Sequence, residues 1–251
     1  MKPHIENKIL MLCVWSGVAF LVLTLLGFVF LAHYVPPPSP DNNAQYFAAF
    51  YTQNLFGVRL AMVLMMFGAA CNIPFCAVLA HYVTRIEGKI GVLTVILLMG
   101  CMADTLLFFY PCLWWEVTCY RPDRDPQLIY LLSDFSWLQY IGGVSIFLPM
   151  PAAIAVAAFI DDSAKPAYPR WLGYATIFSI LAFLPDQAIF FFHAGPFSWS
   201  GMFGFWIPLF DYFGWMILLL IVLHNAVRAD ALALQGGKPL GAVGTRLSAA
   251  E

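Results

Sequence analysis

The chain of 251 residues contains six long apolar runs. Each run can cross the hydrocarbon core of a bilayer as an α-helix, which takes about 20 apolar residues. A soluble domain could not cover so much apolar surface, because the chain is 62% hydrophobic and only 10% charged. The sequence therefore predicts an all-α integral membrane protein. Its six transmembrane helices are expected at about Ile9 to Tyr34, Phe56 to Val83, Ile90 to Tyr110, Leu128 to Ile160, Trp171 to Phe192 and Phe203 to Val227.

The loops between these runs indicate the orientation of the chain. Nine of the twelve lysines and arginines fall at the end that carries both termini, and basic residues favour the cytoplasmic side. We therefore expect both termini in the cytoplasm and the protein in a bacterial plasma (inner) membrane. The outer loops are then residues 35–55, 111–127 and 194–202, and residues 1–228 form one transmembrane domain. Residues 229–251, with several glycines, are expected to form a loosely ordered cytoplasmic tail.

Helices two and three share a residue pattern with helices four and five. Gly91 stands thirteen residues before Asp104, and Gly173 stands thirteen before Asp186, with an aromatic run after each acid. The helices before them match as well, because a charged residue stands fifteen positions before a proline in each. The pattern predicts an internal repeat of a helical hairpin, over residues 56–111 and 131–193. Both copies would enter from the outside, which makes the repeat parallel.

Acidic residues inside these apolar helices are the first candidates for function. A carboxylate in hydrocarbon is costly, so Asp104 and Asp186 should face other helices or water. We expect at least one of the two to hold a proton or a cation at neutral pH. Further ionisable groups lie toward the outer ends of the helices, which predicts a polar cavity open to the outside. These groups are Arg59, Asp134, Asp211 and His193.

Aromatic side chains could form the walls of this cavity. Trp137 and Trp215 follow Asp134 and Asp211 by about one helical turn and share their faces. An acid beside an aromatic wall suits a small hydrophobic or cationic ligand. The structural alternative is an ion pair that clamps the bundle, between Arg59 and one of the aspartates, with other acids reaching headgroup water.

Cysteines and histidines give two further hypotheses. Cys112 and Cys119 bracket a segment of an outer loop and could close a disulfide in an oxidising exterior. No compact motif predicts a metal site, and no cofactor is predicted. Haem is the alternative, since two histidines lie near each membrane surface and stacked haems need such pairs. The four histidines are His33, His81, His193 and His224.

The sequence lacks the motifs of soluble enzymes, among them a phosphate-binding glycine loop and a zinc-protease helix motif. It also has no basic stripe for nucleic acid, so the expected partners are the lipid bilayer and a small-molecule ligand. We favour a protein that binds or transports a small hydrophobic or cationic molecule, with possible proton coupling. Two alternatives remain: an intramembrane acid/base enzyme of isomerase type on a lipid-like substrate, and a haem-bearing or partner-binding membrane subunit.

Overall fold

The computed structural model describes residues 2–236. Six helical spans in it are long and apolar enough to cross a membrane, which confirms the prediction of six transmembrane helices. The protein is therefore a polytopic membrane protein, and no strand occurs among residues 2–236. The spans are Pro3–Leu31, Leu55–Glu87, Val92–Tyr120, Pro126–Ile160, Arg170–Phe190 and Met202–Gln235.

Eight α-helices and four short segments of other helical geometry build these spans. Two of the short segments are π-helical, Leu26–Leu31 and Met202–Trp206, and two are 3₁₀-helical, Gly143–Ile146 and Leu184–Phe190. Only the second and third spans are continuous α-helices. The α-helices are α1 (Pro3–Leu25), α2 (Ala44–Gln53), α3 (Leu55–Glu87), α4 (Val92–Tyr120), α5 (Pro126–Gly142), α6 (Pro149–Ile160), α7 (Arg170–Phe183) and α8 (Ile207–Gln235).

Proline accounts for several of the changes in helical geometry, since it lacks a backbone donor and clashes with the preceding turn. Pro149 begins α6 directly after the break in the fourth span, and Pro185 lies within the 3₁₀ segment Leu184–Phe190. Pro208 lies in the first turn of α8, after the π-helical segment. By contrast, Pro74 and Pro111 are accommodated inside α3 and α4.

Because the six spans alternate in direction, the chain begins α1 and finishes α8 at the same end of the bundle. We call this the terminal end and the opposite one the α2 end, after the short helix α2 that lies there. Part of the predicted loop 35–55 is thus helical. Most of the predicted loop 111–127 is helical too, because α4 continues to Tyr120. Likewise α8 continues to Gln235, into the predicted tail, whose residues 237–251 lie outside the described part of the chain.

Polar contacts tie the helices together at the terminal end. Asp230 accepts hydrogen bonds from the hydroxyl of Tyr82 at 3.0 Å and from the guanidinium of Arg85 at 2.7 Å, so it joins α8 to α3. The amide of Asn7 in α1 donates to the carbonyl of Val227 in α8 at 2.9 Å. The side chain of Glu87 accepts bonds from the first backbone amides of α4, which fixes the turn between α3 and α4.

The two proposed repeat units differ in local geometry. Asp104 lies in regular α-helix, whereas Asp186 lies in the 3₁₀ segment Leu184–Phe190. Pro74 lies inside α3, whereas Pro149 begins a helix. The repeat therefore stays a prediction from sequence spacing.

Candidate functional site

Asp104 lies at the centre of a buried polar network that joins three helices. Its carboxyl is fully buried in α4 and accepts a hydrogen bond from Asn72 Nδ2 in α3 at 2.9 Å. Tyr212 in α8 donates its hydroxyl to the same carboxyl, 3.1 Å from Oδ1 and 3.2 Å from Oδ2. The Asn72 amide also lies 3.2 Å from the hydroxyl of Thr105. Every carboxyl oxygen thus has a donor, as a buried acid requires.

Close helix packing lies one turn from this network. A Cβ atom on Gly100 would lie only 2.6 Å from the backbone nitrogen of Met150, at the start of α6. Only glycine allows the two backbones to approach so closely. This contact holds α4 against the fourth span immediately beside Asp104.

A partly open cavity of ≈ 70 Å³ lies beside the Asp104 network. This volume holds a few water molecules or one small chemical group. Its lining is almost wholly apolar and includes Phe108, Val144 and Phe205, while its polar groups include Tyr212 and Asp186. The cavity is therefore bounded by α4, the fourth span, the 3₁₀ segment Leu184–Phe190 and the start of the last span.

Asp186 lines this apolar cavity, and one of its carboxyl oxygens lacks a hydrogen-bond partner. The residue is only 2% exposed, and its Oδ1 atom is buried without a hydrogen-bond partner. Its neighbour Gln187 donates Nε2 to the carbonyl of Gly142 at 3.0 Å, which anchors the 3₁₀ segment to the fourth span. A buried acceptor without a donor costs free energy, so Asp186 favours any proton, cation or donor group that reaches the cavity.

Tyr212 connects the two deep acids. Its side chain lines the cavity with Asp186, and its hydroxyl donates to Asp104. The sequence predicted both acids to face the interior, and both are buried there. Tyr212 therefore belongs both to the cavity wall and to the Asp104 network.

The other candidate charges lie elsewhere. Arg59 is exposed, and its Nε atom lies 3.6 Å from Glu116 Oε2, so this arginine pairs with a glutamate and not with one of the aspartates. Glu116 was missed because its segment was assigned to a loop. Asp134 lies half-buried within electrostatic range of the exposed His193. Asp211 lines a separate groove between α7 and the last span. The predicted group of charges is thus divided among several places.

Aromatic side chains fill the space between the cavity and α2. We call them the aromatic layer: Phe28, Tyr34, Trp115, Trp137, Tyr140 and Phe205. Phe28 stacks on Tyr140 and Phe205, two residues of the cavity wall, with ring centroids 5.2 and 6.3 Å apart. The layer occupies the position where the sequence predicted an open polar cavity.

The two candidate tryptophans belong to the core. Trp137 is fully buried in the aromatic layer, 5.1 Å from the ring of Trp115. Trp215 is also buried and donates its Nε1 to the hydroxyl of Thr176 at 3.0 Å. Neither side chain is among those that line the cavity.

Helix α2 covers the aromatic layer at its end of the bundle. The hydroxyl of Tyr51 lies 2.8 Å from Ser133 Oγ in α5, and the ring of Phe47 packs 5.3 Å from that of Tyr130. Trp199 adds a hydrogen bond from its Nε1 to the carbonyl of Pro38 at 2.9 Å. Burial raises the pKa of Tyr51, so its phenol stays protonated and can donate.

The predicted disulfide between Cys112 and Cys119 is wrong. Both cysteines are free and buried, and both lie in α4. Seven residues of α-helix separate their Cα atoms by about 10 Å, which exceeds the span that a disulfide can bridge. The Cys112 thiol instead donates to the carbonyl of Phe108 at 3.1 Å.

The four histidines of the haem hypothesis have other neighbours. His81 Nδ1 lies 4.0 Å from Glu6 Oε1, and the ring of His224 packs edge-on against Trp15. His33 and His193 are exposed. Among the described residues no group of three or more histidine, cysteine or acidic side chains could hold a metal ion.

Comparisons with protein-family models, curated proteins and solved structures find no match to this chain. The site's own geometry therefore carries the functional argument.

Proposed function

We propose that this membrane protein binds a small cationic or hydrogen-bond-donating molecule in the cavity at Asp186. The observation that carries the proposal is that Asp186 lines an apolar cavity and that its buried Oδ1 atom has no hydrogen-bond partner. A cation would relieve this unpaired acceptor, and the surrounding aromatic rings would favour it further. The small cavity volume selects a compact ligand or a compact head group.

Proton exchange accompanies binding in this proposal. Asp186 holds a proton while the cavity lacks a cation and releases it when a cation enters. The site then has no net charge in either state, whether Asp186 is protonated or its carboxylate is paired with the cation. Tyr212 links the cavity to Asp104, a second proton-binding group deeper in the bundle. If the protein lies in a bacterial plasma membrane with both termini in the cytoplasm, the orientation that the basic residues favour, such exchange could drive transport.

Chemical labelling in lipid nanodiscs tests this proposal. Dicyclohexylcarbodiimide reacts with protonated carboxyl groups in apolar surroundings, so we expect an adduct on the peptide that contains Asp186. Guanidinium should protect this peptide, whereas urea, which has the same shape without the charge, should not. Asp186→Asn should abolish the adduct, and the control Asp134→Asn should retain it. Equal labelling with and without guanidinium would overturn the proposal.

Transport is tested separately in proteoliposomes. An imposed guanidinium gradient should change the internal pH, as measured by a trapped pH-sensitive dye, and Asp186→Asn should remove the change. Labelling protection without any pH change would limit the function to binding.

One observation favours an acid/base enzyme as the second candidate. The hydrogen-bonded pair of Tyr212 and Asp104 lies at one side of the cavity that contains Asp186, so two proton-transfer groups could face one substrate. An isomerase would incorporate deuterium into its product during turnover. Incubation with a membrane lipid extract in D₂O, followed by mass spectrometry, should then show a deuterated lipid that Asp186→Asn fails to produce.

A further inference from the structure

A groove on the lipid-facing surface contains the carboxyl of Asp211, one of the predicted candidate acids. The groove has a volume of ≈ 600 Å³ and lies between α7 and the start of the last span. Phe178 and Phe210 on its sides are 67% and 69% exposed, and Met202 at its end is 55% exposed. Since these apolar side chains belong to membrane spans, the groove opens to the hydrocarbon of the bilayer.

Asp211 is an unusual residue for such a surface. Its Oδ2 atom is buried without a hydrogen-bond partner, and the carboxyl has the Ser179 hydroxyl as a neighbour. It stands nine residues after Met202, which places it about 13 Å from the end of its span. Because one oxygen of this carboxyl is buried without a donor, the carboxylate needs a proton or a cation as a partner.

The described residues supply no basic partner for Asp211. The ion pairs among residues 2–236 involve Glu6, Glu116, Asp162 and Asp230. The Asp211 carboxyl can therefore be neutralised by a proton or by a cation that binds in the groove.

Aromatic rings beside Asp211 indicate the chemistry of that molecule. The rings of Trp206 and Phe210 stack with centroids 6.2 Å apart and an angle of 24° between their planes. Aromatic faces attract organic cations, and they also pack against alkyl chains. An acid, two aromatic faces and an opening to lipid together suit an amphiphile with a positively charged head.

We infer that this groove is a second ligand site, which binds a lipid-soluble amine with its ammonium group at Asp211 and its alkyl chain along Phe178 and Phe210. The site is separate from the central cavity. Asp211 and Tyr212 are consecutive residues of α8, and they face the groove and the cavity respectively.

Binding of radiolabelled dodecylammonium to the protein in nanodiscs tests the inference. We expect Asp211→Asn to weaken binding of this amine about tenfold, and binding of dodecanol, the neutral control, to stay unchanged. Asp134→Asn is the matched variant, because Asp134 is also half-buried with an unpaired carboxyl oxygen. It should bind dodecylammonium like the wild type.

A second variant distinguishes a loss of amine binding from a folding defect in Asp211→Asn. Phe210 is largely exposed, so Phe210→Ala should fold normally and weaken dodecylammonium binding about fivefold through the lost ring. Equal amine binding by the wild type and both groove variants would overturn the inference. So would a loss of amine binding in Asp186→Asn alone, which would assign the amine to the central cavity. A groove variant that changes only the oligomeric state would assign Asp211 to contacts between protein chains.

Discussion

The hydroxyl of Tyr212 donates to both carboxyl oxygens of Asp104, at distances of 3.1 and 3.2 Å. Together with the amide of Asn72, this bond makes one buried carboxyl the junction of α3, α4 and α8. We expect Tyr212→Phe and Asp104→Asn each to lower the free energy of unfolding by about 1–3 kcal/mol, because each leaves a buried polar group unpaired. Thermal or denaturant unfolding in detergent measures both effects.

The double variant distinguishes this bond from general packing. Residues that share a hydrogen bond should give non-additive losses, so the double variant should lose less than the sum of the two single losses. Tyr174→Phe is the control, because its side chain is 67% exposed and should tolerate the change. Strictly additive losses would contradict a direct bond between Tyr212 and Asp104.

Gly100 permits the close packing of α4 on α6. We expect Gly100→Ala to lower the free energy of unfolding by about 1–3 kcal/mol, because its Cβ would force the backbone of Met150 away. Gly214→Ala is the matched control, since no atom lies within 4 Å of a Cβ there. In helix α8 the added methyl should stabilise the protein by about 0.5–1 kcal/mol. Equal effects of the two substitutions would rule out a close approach at Gly100.

Glu87 caps the first turn of α4. Its carboxyl accepts hydrogen bonds from Leu93 N at 3.0 Å, from Thr94 N at 2.8 Å and from the Thr94 hydroxyl at 2.7 Å. We expect Glu87→Ala to lower the free energy of unfolding by about 1 kcal/mol, as loss of a helix cap does. Lys89→Ala, in the same turn but exposed, should have no comparable effect. The unfolding midpoints of the two variants test this expectation, and equal midpoints would contradict a capping role for Glu87.

Tyr51 anchors α2 over the aromatic layer through its 2.8 Å contact with Ser133. We expect Tyr51→Phe to weaken this attachment by about 1 kcal/mol, which is a typical value for one hydrogen bond. Backbone amides of residues 44–53 should then exchange with deuterium about fivefold faster. The control is Tyr46→Phe, because Tyr46 is 42% exposed. If α2 exchanged equally fast in both variants, the hydroxyl contact would not hold the helix.

Hydropathy and run length were enough to predict the six spans, because each span is a helix that must satisfy its own backbone in lipid. They also indicated that Asp104 and Asp186 face the interior, since hydrocarbon excludes an isolated carboxylate. Pro149, Pro185 and Pro208 lie where the helices depart from α geometry, as expected of a residue without a backbone donor.

The arrangement around the acids could not be predicted in the same way. Counting residues along a helix gives depth, but the direction of a side chain around the helix axis depends on packing between helices. Asp211 therefore faces a lateral groove, while its neighbour Tyr212 faces the cavity. The pairing of Asn72 with Asp104 joins two different spans and leaves no local signal.

Glu116 shows a different kind of failure. The third span was predicted to end at Tyr110, yet α4 continues through Pro111 to Tyr120. The helical spacing of Trp115, Thr118 and Cys119, all buried on one face, was the available signal for this continuation. Within this extension Glu116 can reach Arg59.

The four segments that depart from α-helical geometry surround the cavity. Val144, Asp186 and Phe205 belong to three of them, and Phe28 in the fourth stacks on the cavity wall. Short 3₁₀ and π segments have poorer hydrogen-bond geometry than an α-helix, whereas α3 and α4 are continuous and the terminal end is tied by Asp230. We therefore expect the helices to deform more easily around the cavity than in α3, in α4 and at the terminal end. A ligand in the cavity would then displace the segments near the α2 end. The signal of a spectroscopic label at the terminal end would not change.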